Sequence, residues 1–148
     1  MDDEDYQHIH AILSKEEDNS ILQQTNTSIK ERIAIIINQL ALPEEKSKPL
    51  LDKLKGYRYV MELPDLEIGS YIRWINLNHP EQIKLTNGSF ICDILILENG
   101  IQVRCKNRLG HIHQIKFDEH LIFQKLNVQE KILLNMMDCI KQSKIKLT

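Results

Sequence analysis

The sequence predicts an α+β protein: helices first, then a small antiparallel sheet of the SH3-like or Sm-like barrel type, then a C-terminal closing helix. Three observations carry this. Between Tyr71 and Phe123, short apolar strands are broken by turn signals, among them Asn87-Gly88 and Asn99-Gly100. Those dipeptides suit the positive φ angles of a two-residue hairpin turn. Ahead of the strands, Leu22, Asn26, Ile29, Ile33, Ile36 and Leu40 recur at 4-3-4-3-4 spacing, the seam of a helix. Behind them, Asn127-Val-Gln-Glu130 reads as a capping box that opens a last helix.

Residues 1–20 form an acidic leader, with seven acids against Lys15 and a net charge of −6. Since the whole chain carries −2, the remaining 128 residues hold +4. Such a leader reads as a solvated, flexible terminus, and an acidic screen over a basic surface is the sharper alternative. Residues 21–56 form a helical segment. Its seam has one polar member, Asn26, and is broadened by Ile35 and Ile37. A seam of this kind packs on its own domain or on a partner helix, with Asn26 fixing register in the second case. Pro43 ends the first helix, and Pro49 stands near the start of a second that carries Leu50, Leu51 and Leu54 and closes at Gly56.

Residues 57–148 form the barrel and its closing helix. Tyr57–Glu62 alternates as a strand up to Pro64. Along the later strands, alternation places Phe90, Cys92, Ile94 and Ile96 on one side and Ile101, Val103 and Cys105 on another shared side. The closing helix sets Val128, Ile132, Leu133, Met136, Met137 and Ile140 on one face, with Lys131, Lys141, Lys144 and Lys146 on its polar face and tail.

Composition bounds the function. With 148 residues, 42% hydrophobic and 27% charged, the chain fits one globular domain with appendages. No apolar run approaches the roughly 20 residues of a membrane span, and the acidic N-terminus lacks the pattern of a secretion signal. Three cysteines without a CxxC pair suit a reducing compartment. The five glycines are too dispersed to cradle phosphate. No cofactor is expected, and the chain reads as a non-enzyme.

Candidate sites follow from residue type and spacing. His111-Ile-His113 at strand spacing could present two metal ligands, a loose likeness to the HxH motif of cupins, so a metal-dependent enzyme is the second alternative. The plainer reading puts both histidines on the solvent face. Cys105 lies between Arg104 and Lys106, neighbours that lower a thiol pKa, but its alternation makes it a core residue. Arg73 and Trp74, with Arg104, Lys106 and Arg108, place cations and an aromatic on neighbouring strand positions, as small barrels do when they bind single strands. Trp74 also reads as a core residue.

Two stretches, GYRYVMELPDLEIGSYIRWI and, further on, CKN followed by IKFDEHLIFQKLNVQE, resemble small proteins of large nucleocytoplasmic DNA viruses of the algal and mimivirus-like groups. The resemblance covers about residues 50–140. It implies an intracellular viral product, in host cytoplasm or virion, and brings no catalytic residues. The resulting expectation is a non-catalytic module docking other proteins, viral structural or assembly-associated, through Ile29, Ile33, Ile36 and Leu40 or an exposed sheet edge. Homo-oligomerisation through the 21–42 helix belongs to that expectation. Nucleic-acid binding through Arg73, Trp74, Arg104, Lys106 and Arg108 is the alternative, and no membrane contact is expected.

Overall fold

A computed structural model describes residues 24–146, with side chains described as far as Gln142. The acidic leader and the seam residue Leu22 lie outside the described residues. The fold is α+β: three helices, α1 (Asn26–Asn38), α2 (Glu44–Lys53) and α3 (Val128–Lys146), and six strands. The strands are β1 (Tyr57–Tyr59), β2 (Tyr71–Asn76), β3 (Ser89–Leu97), β4 (Gly100–Lys106), β5 (Ile112–Lys116) and β6 (His120–Lys125). Two compact units divide the described chain: residues 31–126 in one, and residues 24–30 with 127–146 in the other.

The larger unit holds the whole sheet, in the order β1-β6-β2-β3-β4-β5, and every pairing is antiparallel. Strands β1 and β5 do not pair with each other, so the sheet is open and the expected closed barrel is not formed. One face carries a core of Val60, Leu66, Ile72, Trp74, Ile91, Val103, Cys105, Ile115 and Ile122, with Leu63, Ile94 and Phe117 packed against it. Each fully buried aliphatic side chain of this kind stabilises the fold by about 1.5–3 kcal/mol. On the other face, Ile75 and Phe123 alternate with these residues and are also fully buried. The centre of the sheet is therefore covered on both sides.

Both Asn-Gly signals mark turns, but neither is a type I′ hairpin. Asn87-Gly88 ends a long loop after β2, in which Leu85 bridges to Ile75. At the second, Leu97 pairs with Gly100 across Glu98-Asn99. The positive φ falls on Gly100, at +123°, and not on Asn99. Strand β3 also carries a bulge between Ile91 and Asp93. A bulge adds one residue and reverses the alternation beyond it. Ile91 and Ile94 consequently face the core, Phe90 and Cys92 are exposed, and Ile96 is 79% exposed. The expected shared side therefore splits, with Ile94 towards the core and Phe90 on the other face; Ile96 keeps the side of Ile94 but is exposed near the strand end.

Helix α1 begins after Thr25, whose hydroxyl accepts the Ser28 N–H (3.1 Å) while the Ser28 hydroxyl accepts the Thr25 N–H (2.8 Å). This reciprocal cap satisfies two otherwise orphan donors. Asn26 donates its side-chain amide to Asp138 (2.7 Å) and Asn135 (3.1 Å) of α3 within the smaller unit, so its polar group serves an intrachain clamp. The helix stops at Asn38, ahead of Pro43, where Ala41 takes a left-handed φ of +54°. Pro43 then precedes α2, and Pro49 lies inside it.

Of the seam residues, Ile29 and Ile33 are each 5% exposed and Ile36 and Leu40 half-buried, while Ile37 is completely buried. Ile29 and Ile33 are thus buried within the chain, and Ile36 and Leu40 keep part of their surface accessible. The predicted capping box does form: Asn127 Oδ1 accepts the Glu130 N–H (2.8 Å) and Glu130 Oε1 accepts the Asn127 N–H (3.1 Å). Along α3, however, Leu134 is the fully buried residue, and Val128, Ile132, Met136 and Ile140 of the expected apolar face are exposed.

One buried polar side chain ties the sheet to its connections. Gln124 is fully buried; its Oε1 accepts the Glu67 N–H (3.0 Å) and its Nε2 donates to the Asp65 carbonyl (3.2 Å). Arg58 Nη2 donates to the same carbonyl (2.9 Å). Gln124→Leu should lower the free energy of unfolding by about 1–3 kcal/mol, because the Glu67 N–H is left without its partner. Urea denaturation with an unchanged slope checks this. Ile33→Asp should abolish the folded state, read by circular dichroism, because an unpaired carboxylate cannot be buried there. A folded but smaller species on light scattering would instead put Ile33 in an oligomer interface.

Candidate functional site

The strand register aligns one transverse row of side chains. Tyr57 lies opposite Lys125, Tyr71 opposite Phe90, Phe90 opposite Lys106, and Lys106 opposite Ile112. Extending the β2–β6 register one residue beyond Ile72–Gln124 sets Lys125 beside Tyr71. Directly opposed residues share a face of an antiparallel sheet. Across all six strands the row thus reads Tyr57, Lys125, Tyr71, Phe90, Lys106, Ile112. It occupies the face away from the Ile72–Cys105 core, because each of its members flanks a core-facing residue.

The row is rigid and accessible. Tyr71 and Phe90 meet edge to face, with ring centroids 4.9 Å apart and planes at 63°. The Arg108 guanidinium carbon stands 5.9 Å from the Tyr71 ring centroid, within cation–π range. Tyr71 donates its hydroxyl to the Asn87 carbonyl (2.7 Å). Gly88, at φ +111°, passes beneath that ring so closely that a Cβ there would lie 2.6 Å from it. Only glycine fits both the backbone and the space. Arg108 is held out by a turn in which Asn107 Oδ1 accepts the N–H groups of Leu109 (3.0 Å) and His111 (2.9 Å). Phe90 is 41% exposed, and Lys106, Arg108 and Lys125 are exposed as well.

Electrostatics bind the cluster together. Burial pushes the Tyr57 hydroxyl pKa up; the nearby Arg73 and Arg108 cations oppose that shift and Tyr71 adds to it. Arg73 sits one row further in. It donates Nε to the Thr86 carbonyl (2.7 Å) and Nη1 to the Lys53 carbonyl at the end of α2 (3.5 Å). Helix α2 therefore ends over Arg73, and the Tyr57 row lies beyond it.

The predicted nucleic-acid residues separate. Arg104, Lys106 and Arg108 stay together, with Lys106 in the row and Arg104 opposite Asp93 on the same face. Arg73 spends its guanidinium on backbone carbonyls. Trp74 is 7% exposed and belongs to the core on the opposite face, so it is no platform beside those cations. Tyr57, Tyr71, Phe90 and Lys125 take its place. The Tyr71/Arg73 alternation against Ile72/Trp74 was the legible signal for part of this; the bulge hid Phe90.

On the core-facing side, a cleft of ≈ 470 Å³ opens beside Trp74. One wall is the loop after β2, held along that strand by the Trp74 N–H donating to Thr86 Oγ1 (3.0 Å) and the Thr86 N–H donating to the Trp74 carbonyl (3.0 Å). The other side carries His113, which pairs across the ladder with Cys105 and whose ring centroid is 6.1 Å from that of Trp74. His113 thus lies on the side of the sheet that carries the core, and like His111 it is exposed to solvent. His111 lies before β5, in the Asn107 turn. Among the described residues no group of three or more His, Cys, Asp or Glu is gathered to hold a metal ion.

Burial pushes the Cys105 thiol up to about 12, and nearby Cys92 adds to the shift. Arg104 and Lys106 flank it in sequence but face the other side. In the native protein at pH 8, a disulfide reagent should label the exposed Cys92 and Cys139 rapidly, with Cys105 reacting only on unfolding. Rapid labelling of all three thiols would contradict the Cys105 environment described here.

Comparisons with protein-family models, curated proteins and solved structures gave no match for this chain. Among the described residues no helix is long and apolar enough to cross a membrane.

Proposed function

We propose that the chain is a binding module that holds single-stranded nucleic acid on the exposed sheet face, across Tyr57, Tyr71 and Phe90. The observation that carries this reading is the row itself, in which three aromatic and two cationic side chains stand side by side at the strand spacing of roughly 4.7–4.9 Å. Bases stack on such aromatics, and each stacked base is worth about 1–3 kcal/mol. Lys106, Lys125 and Arg108 sit where the phosphates of a strand laid along the row would run. Cations of this kind act by releasing counterions, so the binding they give weakens as salt rises. The Tyr71 ring is already held by Gly88 and Asn87, which removes part of the entropy cost of ordering a platform.

A fluorescently labelled oligothymidylate titrated against the full chain tests the proposal by anisotropy. With about three phosphate contacts, log affinity should fall against log salt with a slope near −2. Phe90→Ala should weaken binding about tenfold at every salt concentration. Lys106→Ala should flatten the slope by about 0.7. Absence of binding at low salt, or affinity indifferent to both substitutions, would sink the proposal.

Protein docking is a second reading, favoured by the free edge of β5 with Ile112 66% exposed and by Ile96 at the β3–β4 turn. An extended peptide adding to that edge would be retained on a nuclease-treated pull-down.

A further inference from the structure

The cleft beside Trp74 is a built site that the row does not use. Its volume of ≈ 470 Å³ is that of a small-molecule site. Two flat walls meet in it, the Trp74 indole and the His113 imidazole, with planes at 63°. Ser89 lines it too and is only 1% exposed. Its hydroxyl is both a donor and an acceptor for a ligand atom. The amides of Asn87 and Asn107 stand at the lining, and Lys84 adds a cation. Asn107 accepts two backbone N–H groups through Oδ1, and those bonds do not use its Nδ2 donors.

A flat ring with hydrogen-bonding edges, tethered to an anion, matches that set: a nucleobase on its phosphodiester. The cleft and the row share a rim. Asn87 lines the cleft with its residue and receives the Tyr71 hydroxyl at its carbonyl, and Asn107 stands between Lys106 and Arg108 in the chain. The geometry points to a cleft that takes one unstacked base from the strand lying on the row, and that reads its identity through Ser89 and the asparagine amides. This rests on the proposed single-strand binding. A single strand offers such a base without the cost of opening a duplex.

Trp74 is the one tryptophan of the chain, so its emission reports the cleft alone. The full chain is titrated with oligomers of each of the four bases and with an abasic oligomer of equal length, following anisotropy and tryptophan emission together. Base-bearing oligomers should quench Trp74 and the abasic one should not, with one base preferred by about tenfold, as hydrogen-bonded readout gives. Ser89→Ala should erase that preference, and His113→Ala the quenching, while both keep the salt slope of the row. Equal quenching by the abasic oligomer, or a base preference that survives both substitutions, overturns the inference. Failure of the row reads differently, as no anisotropy change with any oligomer. The cleft is then judged by free nucleoside monophosphates, whose failure to quench Trp74 overturns it and whose quenching sustains it.

Discussion

The register of β6 between β1 and β2 is the constraint on which the sheet depends, and Gln124 fixes it. A strand buried on both faces reads poorly by hydrophobicity, because Ile122 and Phe123 are equally content on either side. A slip of one residue would exchange the two faces. Gln124 breaks that degeneracy: its amide finds a donor and an acceptor only on the side where Glu67 and Asp65 pass. In the slipped register a primary amide would be buried without partners, a cost of a few kcal/mol. The polar residue thus contributes more to uniqueness than to net stability.

From that register the rest follows by geometry. Phe123 and Ile75 point to one side and Ile122, Ile72 and Trp74 to the other. Arg73 donates to the carbonyl of Lys53, the last residue of α2. The Tyr57 row lies on the face away from the Ile72–Cys105 core. The β3 bulge then turns Phe90 outward to complete the row.

The α+β order, the capping box at Asn127, the core roles of Val103 and Cys105, and the existence of most strands were legible, since each rests on local periodicity or a short motif. What was hidden is what local pattern cannot carry. The bulge at Cys92 inverts a strand without any glycine to announce it. Leu85 joins the sheet by a bridge from inside a loop. Closure into a barrel depends on how far β1 and β5 approach each other, a property of the whole sheet. The Tyr57 row is assembled from six strands, with Arg108 added by the Asn107 turn, so its members are adjacent only once the register is known. Trp74 misled because its neighbour in sequence, Arg73, faces the opposite way.

The position of β6 also orders the events of folding. β3, β4 and β5 form a meander whose partners are consecutive in the chain, so it can assemble from local contacts. β1 and β2 are never paired with each other; β1 pairs with β6 alone, far downstream in the chain, whereas β2 has β3 on one side and β6 on the other. Contacts of such sequence separation slow folding. On the ribosome, β1 must therefore emerge and remain unpaired until the segment through Lys125 leaves the exit tunnel, while β2 can already lie against β3. The last strand synthesised is the one that joins β1 to the rest of the sheet.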